Sequence, residues 1–417
     1  MRFLSCFVSS ISKRIAEIAS IGQKRSRERN KSADLSTYNL FEDQKLEKPT
    51  NNTSPLSLVF IRTYKRLQMG NISGGGHGKR TSKSMDDSEF SSPRIRLSDG
   101  RYLAYRETGV PKEEANFKII IVHGFGSSKE MSFSAPEGLI EDLKIYMLLY
   151  DRAGYAESDP HLERSLKSEA SDIEQLADQL ELGPKFYVIG VSLGSYPTWS
   201  CLKYIPHRQV FQFRLQGVAL VAAVVNYRWP SLPHSLIKDD YRRGLVRLSL
   251  FVLKYMPSLL YWWMTQKCIP TANVMEKNPV FFCERDMEVL KRTPGFELLS
   301  ENKIEQRSVF DNLRSDMMVG FSKWEFDPLK LNNPFPNDEG SVHLWVGYDD
   351  KVVPVELQRH VMEELPWIKY HEIPHGGHLI VYDSEVCESI LRGLLLSEEP
   401  VKYMPLPGTP KLQIVSS

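Results

Sequence analysis

Cysteine is scarce in this 417-residue chain. The five present, Cys6, Cys201, Cys268, Cys283 and Cys387, are scattered, odd in number and form no Cys-x-x-Cys pair. That pattern argues against a disulfide framework and a zinc knuckle. It fits a reducing compartment, with the thiols acting as small buried hydrophobes. Long apolar runs are also missing. A membrane-spanning helix needs about 20 apolar residues, and the richest stretch, Leu248–Met264, is broken by Lys254 and Pro257. No transmembrane span is expected. Neither sign of charge dominates: 53 Lys and Arg face 52 Asp and Glu, a net charge of +1, which removes the electrostatic case for nucleic-acid binding. His161, His207, His234 and His371 lack metal-ligand spacing, and no motif calls for a metal or an organic cofactor. There is no internal repeat.

What charge there is lies unevenly. Residues 1–93 hold 16 Lys and Arg against 9 Asp and Glu, a basic extension. Within it, Leu4, Phe7, Val8, Ile11, Ile15 and Ile18 fall on one helical face, as in an organelle-targeting or membrane-surface helix. Glu17 and the short apolar core argue against a signal peptide, so an intracellular, cytoplasmic location is expected unless this segment targets an organelle. Tracts such as Gln23–Arg29, Asn51–Pro55 and Gly74–Gly78 bury too little apolar area to offset the entropy of ordering, so residues 20–93 read as a linker. Leu56–Leu67 is an apolar island with helical character.

From residue 94 the texture changes. Apolar alternation on both sides of Asp99-Gly100 predicts a hairpin. Short apolar runs follow at Ile119–Val122, Ile145–Leu149, Tyr187–Ile189, Val218–Val225 and Val342–Val346, separated by helical patterns; Ser171-Asp172 is the expected start of one helix. Strands buried on both faces read as unbroken apolar runs, and alternation with helices implies a mostly parallel α/β sheet. The strand rhythm stops between Val225 and Val342. The expected organisation is an extension over 1–93, a core over 94–226 and 336–396, an inserted helical lid over 227–335, and a tail over 397–417. The lid holds Phe251, Leu253, Tyr255, Met256, Leu259, Leu260, Tyr261, Trp262, Trp263 and Met264, read either as lid core or as an apolar substrate wall or membrane-contact face.

Four loop motifs carry the chemistry. Gly190-Val191-Ser192-Leu193-Gly194 follows an apolar strand and precedes a helix-compatible run. A nucleophile on a sharp strand-to-helix turn needs glycines on both sides, and the turn aims the Leu193 N–H at a developing oxyanion. His123-Gly124-Phe125-Gly126 follows the strand Ile119–Val122; its loop offers the second oxyanion donor from the Phe125 amide, with His123 organising the loop. Gly347–Pro354 contains Asp350, and Pro374–His378 ends on His378. The order Ser, acid, His suits a base that takes the Ser192 proton and a carboxylate that fixes the base's tautomer. Asp350 is preferred to Asp349 by its spacing from Gly347 and Pro354.

Together these segments, with Asp151–Asp159, resemble the signature set of the α/β-hydrolase superfamily, and specifically its lidded branch of esterases and epoxide hydrolases. Leu202–Arg208 is similar to a plant group within it. The resemblance covers about residues 94–396 and implies an α/β-hydrolase fold. It further implies a structural role for Asp151-Arg152-x-Gly154. Ala156 stands where the family pattern usually has glycine. Epoxide hydrolases and haloalkane dehalogenases of this fold use an aspartate nucleophile, so Ser192 favours an acyl-enzyme. The expected function is cleavage of an apolar or aromatic carboxylic ester or thioester, with Ser192 as nucleophile, His378 as base and acid, Asp350 orienting His378, the Leu193 and Phe125 amides holding the oxyanion, and His123, Gly124, Gly190 and Gly194 in support. The rival readings are a small-molecule receptor and a cofactor-free lyase or peroxidase on the same fold.

Overall fold

A computed structural model describes residues 91–205, 215–265, 282–292, 306–337 and 339–398. The amphipathic segment Leu4–Ile18, the island Leu56–Leu67, residues 20–90 of the linker expected over 20–93 and the tail beyond 398 lie outside the described residues, as do residues 206–208 of the plant-like segment.

Eight strands form one sheet: β1 (Arg94–Arg96), β2 (Tyr102–Gly109), β3 (Phe117–Val122), β4 (Ile145–Tyr150), β5 (Phe186–Val191), β6 (Leu215–Val221), β7 (Ser341–Gly347) and β8 (Ile368–Ile373). Their spatial order is β1-β2-β4-β3-β5-β6-β7-β8. The hairpin β1–β2 and the pair β2–β4 are antiparallel; every other pairing is parallel. The strands are apolar on both faces because each face carries helices. Ile120 and Val122 of β3 enter one core layer, and Ile119 and Ile121 enter the other. The first layer is closed by α2 (Leu166–Gln179), α3 (Ser195–Tyr204) and α9 (Val355–Glu364), the second by α1 (Glu137–Leu143) and α10 (Ser384–Leu396). Each large side chain buried in these layers, Trp199 and Trp345 among them, contributes roughly 2–3 kcal/mol of apolar transfer.

Between β6 and β7 lies a helical insertion with α4 (His234–Ile237), α5 (Tyr241–Tyr255), α6 (Pro257–Thr265), α7 (Glu284–Arg292) and α8 (Arg307–Phe321). Its aromatic segment is divided. Leu250 and Leu253 of α5 are buried, whereas Leu248, Phe251 and Tyr255 are exposed, and so is Trp262 of α6. Tyr261 meets Phe310 of α8 edge to face. The side chains of Trp263 and Met264 lie outside the described residues.

Two element boundaries differ from expectation. Helix α2 starts at Leu166, not near Ser171, because Ser165 and Ser168 form a reciprocal capping box. Strand β6 stops at Val221, four residues before the end of the apolar run. Ala222 turns the chain at φ 47° while its N–H still reaches Trp345 O, and Val224 and Val225 are buried outside the sheet. Among the described residues, no helix is long and apolar enough to cross a membrane.

Candidate active site

Four parallel strands end at one edge of the sheet, and the loops leaving them carry His123, Ser192, Asp350 and His378. This is where ligands bind in open α/β sheets. At the end of β5 the chain enters a single 3₁₀ turn, Ser192–Gly194, and then α3. Ser192 sits at φ 51°, a left-handed conformation that costs a non-glycine residue roughly 1–2 kcal/mol and is held by the packing around it. The two glycines of the motif are required by close approach. A Cβ on Gly190 would lie 2.0 Å from Thr198 Oγ1, and one on Gly194 would lie 2.3 Å from Val122 O.

The turn holds Ser192 Oγ 2.8 Å from His378 Nε2. On the other side of the ring, His378 Nδ1 is 2.8 Å from Asp350 Oδ2. Asp350 Oδ1 accepts the N–H groups of Val352 and Val353 at 2.8 and 2.9 Å, so the carboxylate is fixed in orientation and solvated by backbone. Burial pulls the His378 pKa down, but the Asp350 charge and hydrogen bond outweigh burial and raise it above the ordinary value. Asp349 points elsewhere: its side chain is 46% exposed and faces His375 at 3.9 Å.

The loop after β3 abuts the serine, since a Cβ on Gly124 would be 3.1 Å from Ser192 Cβ. The side chain of Phe125, the next residue, packs against Tyr155 together with Leu313 and Val309 of α8. His123 is buried, its Nδ1 2.8 Å from Gly124 O and its Nε2 accepting the Arg152 N–H at 3.1 Å. Burial, reinforced by the Arg152 charge, lowers its pKa to about 3. It is therefore a neutral ring that ties two loops together and is not placed to act as a base.

Beneath the serine lies a buried ionic network whose far partner the sequence did not reveal. Both terminal nitrogens of Arg152 donate to Asp316 of α8 at 2.8 and 2.6 Å. Tyr155 and Tyr196 hydroxyls donate to the same carboxylate, and Arg164 Nη1 reaches it at 3.2 Å. Burial pushes the Asp316 carboxyl up, but Arg152 and Arg164 outweigh that and hold it at about 2. Arg164 also pairs with Glu169 of α2. Lys129 is a third buried cation, held by Asp151 and Glu157. Arg152 is expected to be structural from the family resemblance; its partner Asp316 lies 164 positions away in the chain, and nothing local marks it. Ala156 takes φ 38°, which accounts for a glycine being the usual residue there. Cys201, Cys283 and Cys387 are free and buried. No group of three or more His, Cys, Asp or Glu among the described residues is arranged to hold a metal.

A sheet of this order, with these loops at the strand ends, defines the α/β-hydrolase class. The profile described as "Alpha/beta hydrolase family" matches residues 119–388, well over half of the chain, and the protein belongs to that family. A bromoperoxidase from Bacillus anthracis is 20% identical, with 72% of this chain and 98% of that chain covered and a TM-score of 0.51. An α/β-hydrolase enzyme from a Medee basin deep-sea metagenome library is 15% identical, covering 75% of this chain and 100% of its own, also with a TM-score of 0.51. At these identities the likeness is one of fold. No curated protein matches the chain.

Proposed function

We propose that the protein is a serine hydrolase that cleaves a carboxylic ester or thioester through an acyl-enzyme. The observation that carries this reading is the unbroken relay from Ser192 Oγ to His378 Nε2 and from His378 Nδ1 to Asp350 Oδ2, 2.8 Å at each link. In the first half-reaction Ser192 Oγ bonds to the carbonyl carbon while His378 Nε2 takes its proton. The imidazolium stays hydrogen-bonded through Nδ1 to the Asp350 carboxylate, whose other oxygen is held by two backbone amides. Negative charge moves onto the carbonyl oxygen, where the Leu193 and Phe125 amides serve as donors. His378 then protonates the leaving alcohol or thiol. A water molecule repeats the sequence in reverse and frees the acid. An apolar or aromatic acyl group suits the apolar side chains of Phe125, Val309 and Leu313, gathered beside the oxyanion loop.

A fluorophosphonate probe together with a panel of activated esters and thioesters of increasing acyl length tests the reading. The expected result is a covalent adduct on Ser192 and multiple turnovers, both lost in Ser192→Ala. Labelling or turnover that survives Ser192→Ala overturns it. Labelling with a single slow turnover across the panel favours a receptor that retains its ligand.

A further inference from the structure

The start of α7 presses against the loops that carry the relay, and one carboxylate there has no part in the mechanism above. Asp286 is 1% exposed. Its Oδ2 accepts the N–H of His378 at 3.0 Å, and its Oδ1 accepts the N–H of Leu379 at 2.8 Å. Oδ2 also accepts the Cys283 N–H at 3.1 Å, while the Asp286 N–H faces Cys283 Sγ at 3.5 Å. The approach depends on a glycine: a Cβ on Gly377 would lie 2.2 Å from Asp286 Oδ2. The neighbouring residues dock on the same loops. Arg285 pairs with Asp383, the N-cap of α10, and Lys351 Nζ donates to Phe282 O at 3.2 Å.

We propose that Asp286, carried by the insertion, is a positioning residue for His378: it clamps the backbone at His378 and Leu379, one amide on each carboxylate oxygen, and places a second buried carboxylate beside the histidine. The proposal rests on reading Ser192, His378 and Asp350 as a catalytic triad, and adds that the triad is completed from outside the sheet domain.

Three amide donors are the usual compensation for a buried carboxylate. An orientation fixed at the backbone matters because misplacing a reacting group by about 1 Å can cost about 100-fold in rate. The charge matters because the imidazolium forms in the transition state. Among the described residues, three polar side chains bond His378: Ser192 from the turn after β5 and Asp350 from the loop after β7 at the ring, and Asp286 from α7 at the backbone N–H. The carboxylate of Asp349 lies by the exposed His375 instead. After Asp350, Asp286 is the remaining charge that raises the His378 pKa.

The experiment measures kcat, KM and their pH dependence on an activated ester, with fluorophosphonate labelling and melting temperature followed in parallel. Asp286→Asn keeps the shape, removes the charge and turns an amide NH2 toward a backbone N–H. Its kcat should fall about 10- to 100-fold with KM within about twofold, and the acid limb of kcat/KM should move down by about 0.5 unit or more. Asp286→Glu should return the limb to its wild-type position with kcat in between. Arg285→Ala, which removes only the exposed ion pair with Asp383 and leaves the carboxylate and its three amides in place, should leave kcat and limb unchanged. A wild-type limb and kcat in Asp286→Asn, with only a lower melting temperature, overturns the proposal. If Asp286→Asn does not fold, the longer carboxylate decides: a Glu variant with wild-type kcat overturns it equally. The two failures are distinct. Ser192→Ala that still labels removes the triad itself, whereas a labelled Ser192 with indifferent Asp286 variants removes only the clamp.

Discussion

Two adjacent carboxylates, Asp349 and Asp350, meet opposite surroundings within a single turn. The Asp350 N–H bonds Gly347 O and the Asp349 N–H bonds Gly376 O, so the side chains leave in different directions, one inward to His378 and one outward to His375. An exposed pair of that kind contributes at most about 1 kcal/mol. Asp350→Asn should therefore lower kcat by orders of magnitude, since the amide stabilises the wrong histidine tautomer; the comparable change in serine proteases costs about 10⁴. Asp349→Asn should stay within roughly tenfold. Steady-state kinetics on one activated ester decides between them, and the reverse ranking would move the acid to Asp349. That Asp350 rather than Asp349 meets His378 was legible because the motif spacing is local, counted from Gly347 and Pro354. Asp286 was not, because what defines it is an approach to the His378 backbone from 92 positions away in the chain.

At the scale of elements, burial on both faces explains what could be read and what could not. Strands β3 to β7 are continuous apolar runs, and all five were recognisable. Strand β8, Ile-Lys-Tyr-His-Glu-Ile, is an edge strand with an exposed Lys369, and its polar content hid it. The insertion was visible as an interruption of the strand rhythm, but its attachment was not. Helix α8 is fixed to the core by Asp316, which meets Arg152 from the loop after β4, Arg164 from just before α2, and Tyr196 of α3. Its Gly320 approaches so closely that an added Cβ would lie 2.8 Å from Leu193 Cδ1. Replacing Asp316 by Ala would leave two guanidinium groups buried without their shared carboxylate, a loss of about 3–5 kcal/mol. Urea denaturation should show that loss as a lower midpoint, with Ser192 labelling reduced in proportion to the unfolded fraction. A variant as stable as wild type would mean that α8 is held by its apolar contacts alone.

For the molecule as a whole, three imidazoles held in neutral form, His123 and His343 buried and His371 half-buried, contribute to the response to acid. His123 lies between two loops; His343 and His371 stack 5.1 Å apart across β7 and β8, with Nδ1 of one 2.9 Å from Nε2 of the other. Burial lowers all three pKa values, to about 3 for His123 and His343 and about 4 for His371, with the nearby Arg152 charge adding to the effect at His123 and the Lys369 charge at the pair. The unfolded chain takes up these protons below about pH 6.5 and the folded protein does not. The stability they confer is therefore complete above about pH 6.5 and is lost as pH falls toward 4, each group withdrawing about 2 kcal/mol by pH 5. His378 acts in the opposite sense, because its raised pKa stabilises the fold at low pH and that contribution is lost as pH rises through the folded value. Burial likewise raises Asp151, Glu169 and Asp172, whose contributions also improve toward acid. The wild-type curve is thus a balance, and a difference between two proteins isolates one component. Unfolding free energies from urea titrations at pH 7.5 and pH 5.0 should show the wild type losing more stability than His371→Gln, by about 1–2 kcal/mol, since glutamine keeps a hydrogen-bonding group facing His343 and cannot take up a proton in the unfolded chain. An equal loss in both would mean that His371 titrates alike in the folded and unfolded states, and the acid response would then have to come from His123 and the carboxylates.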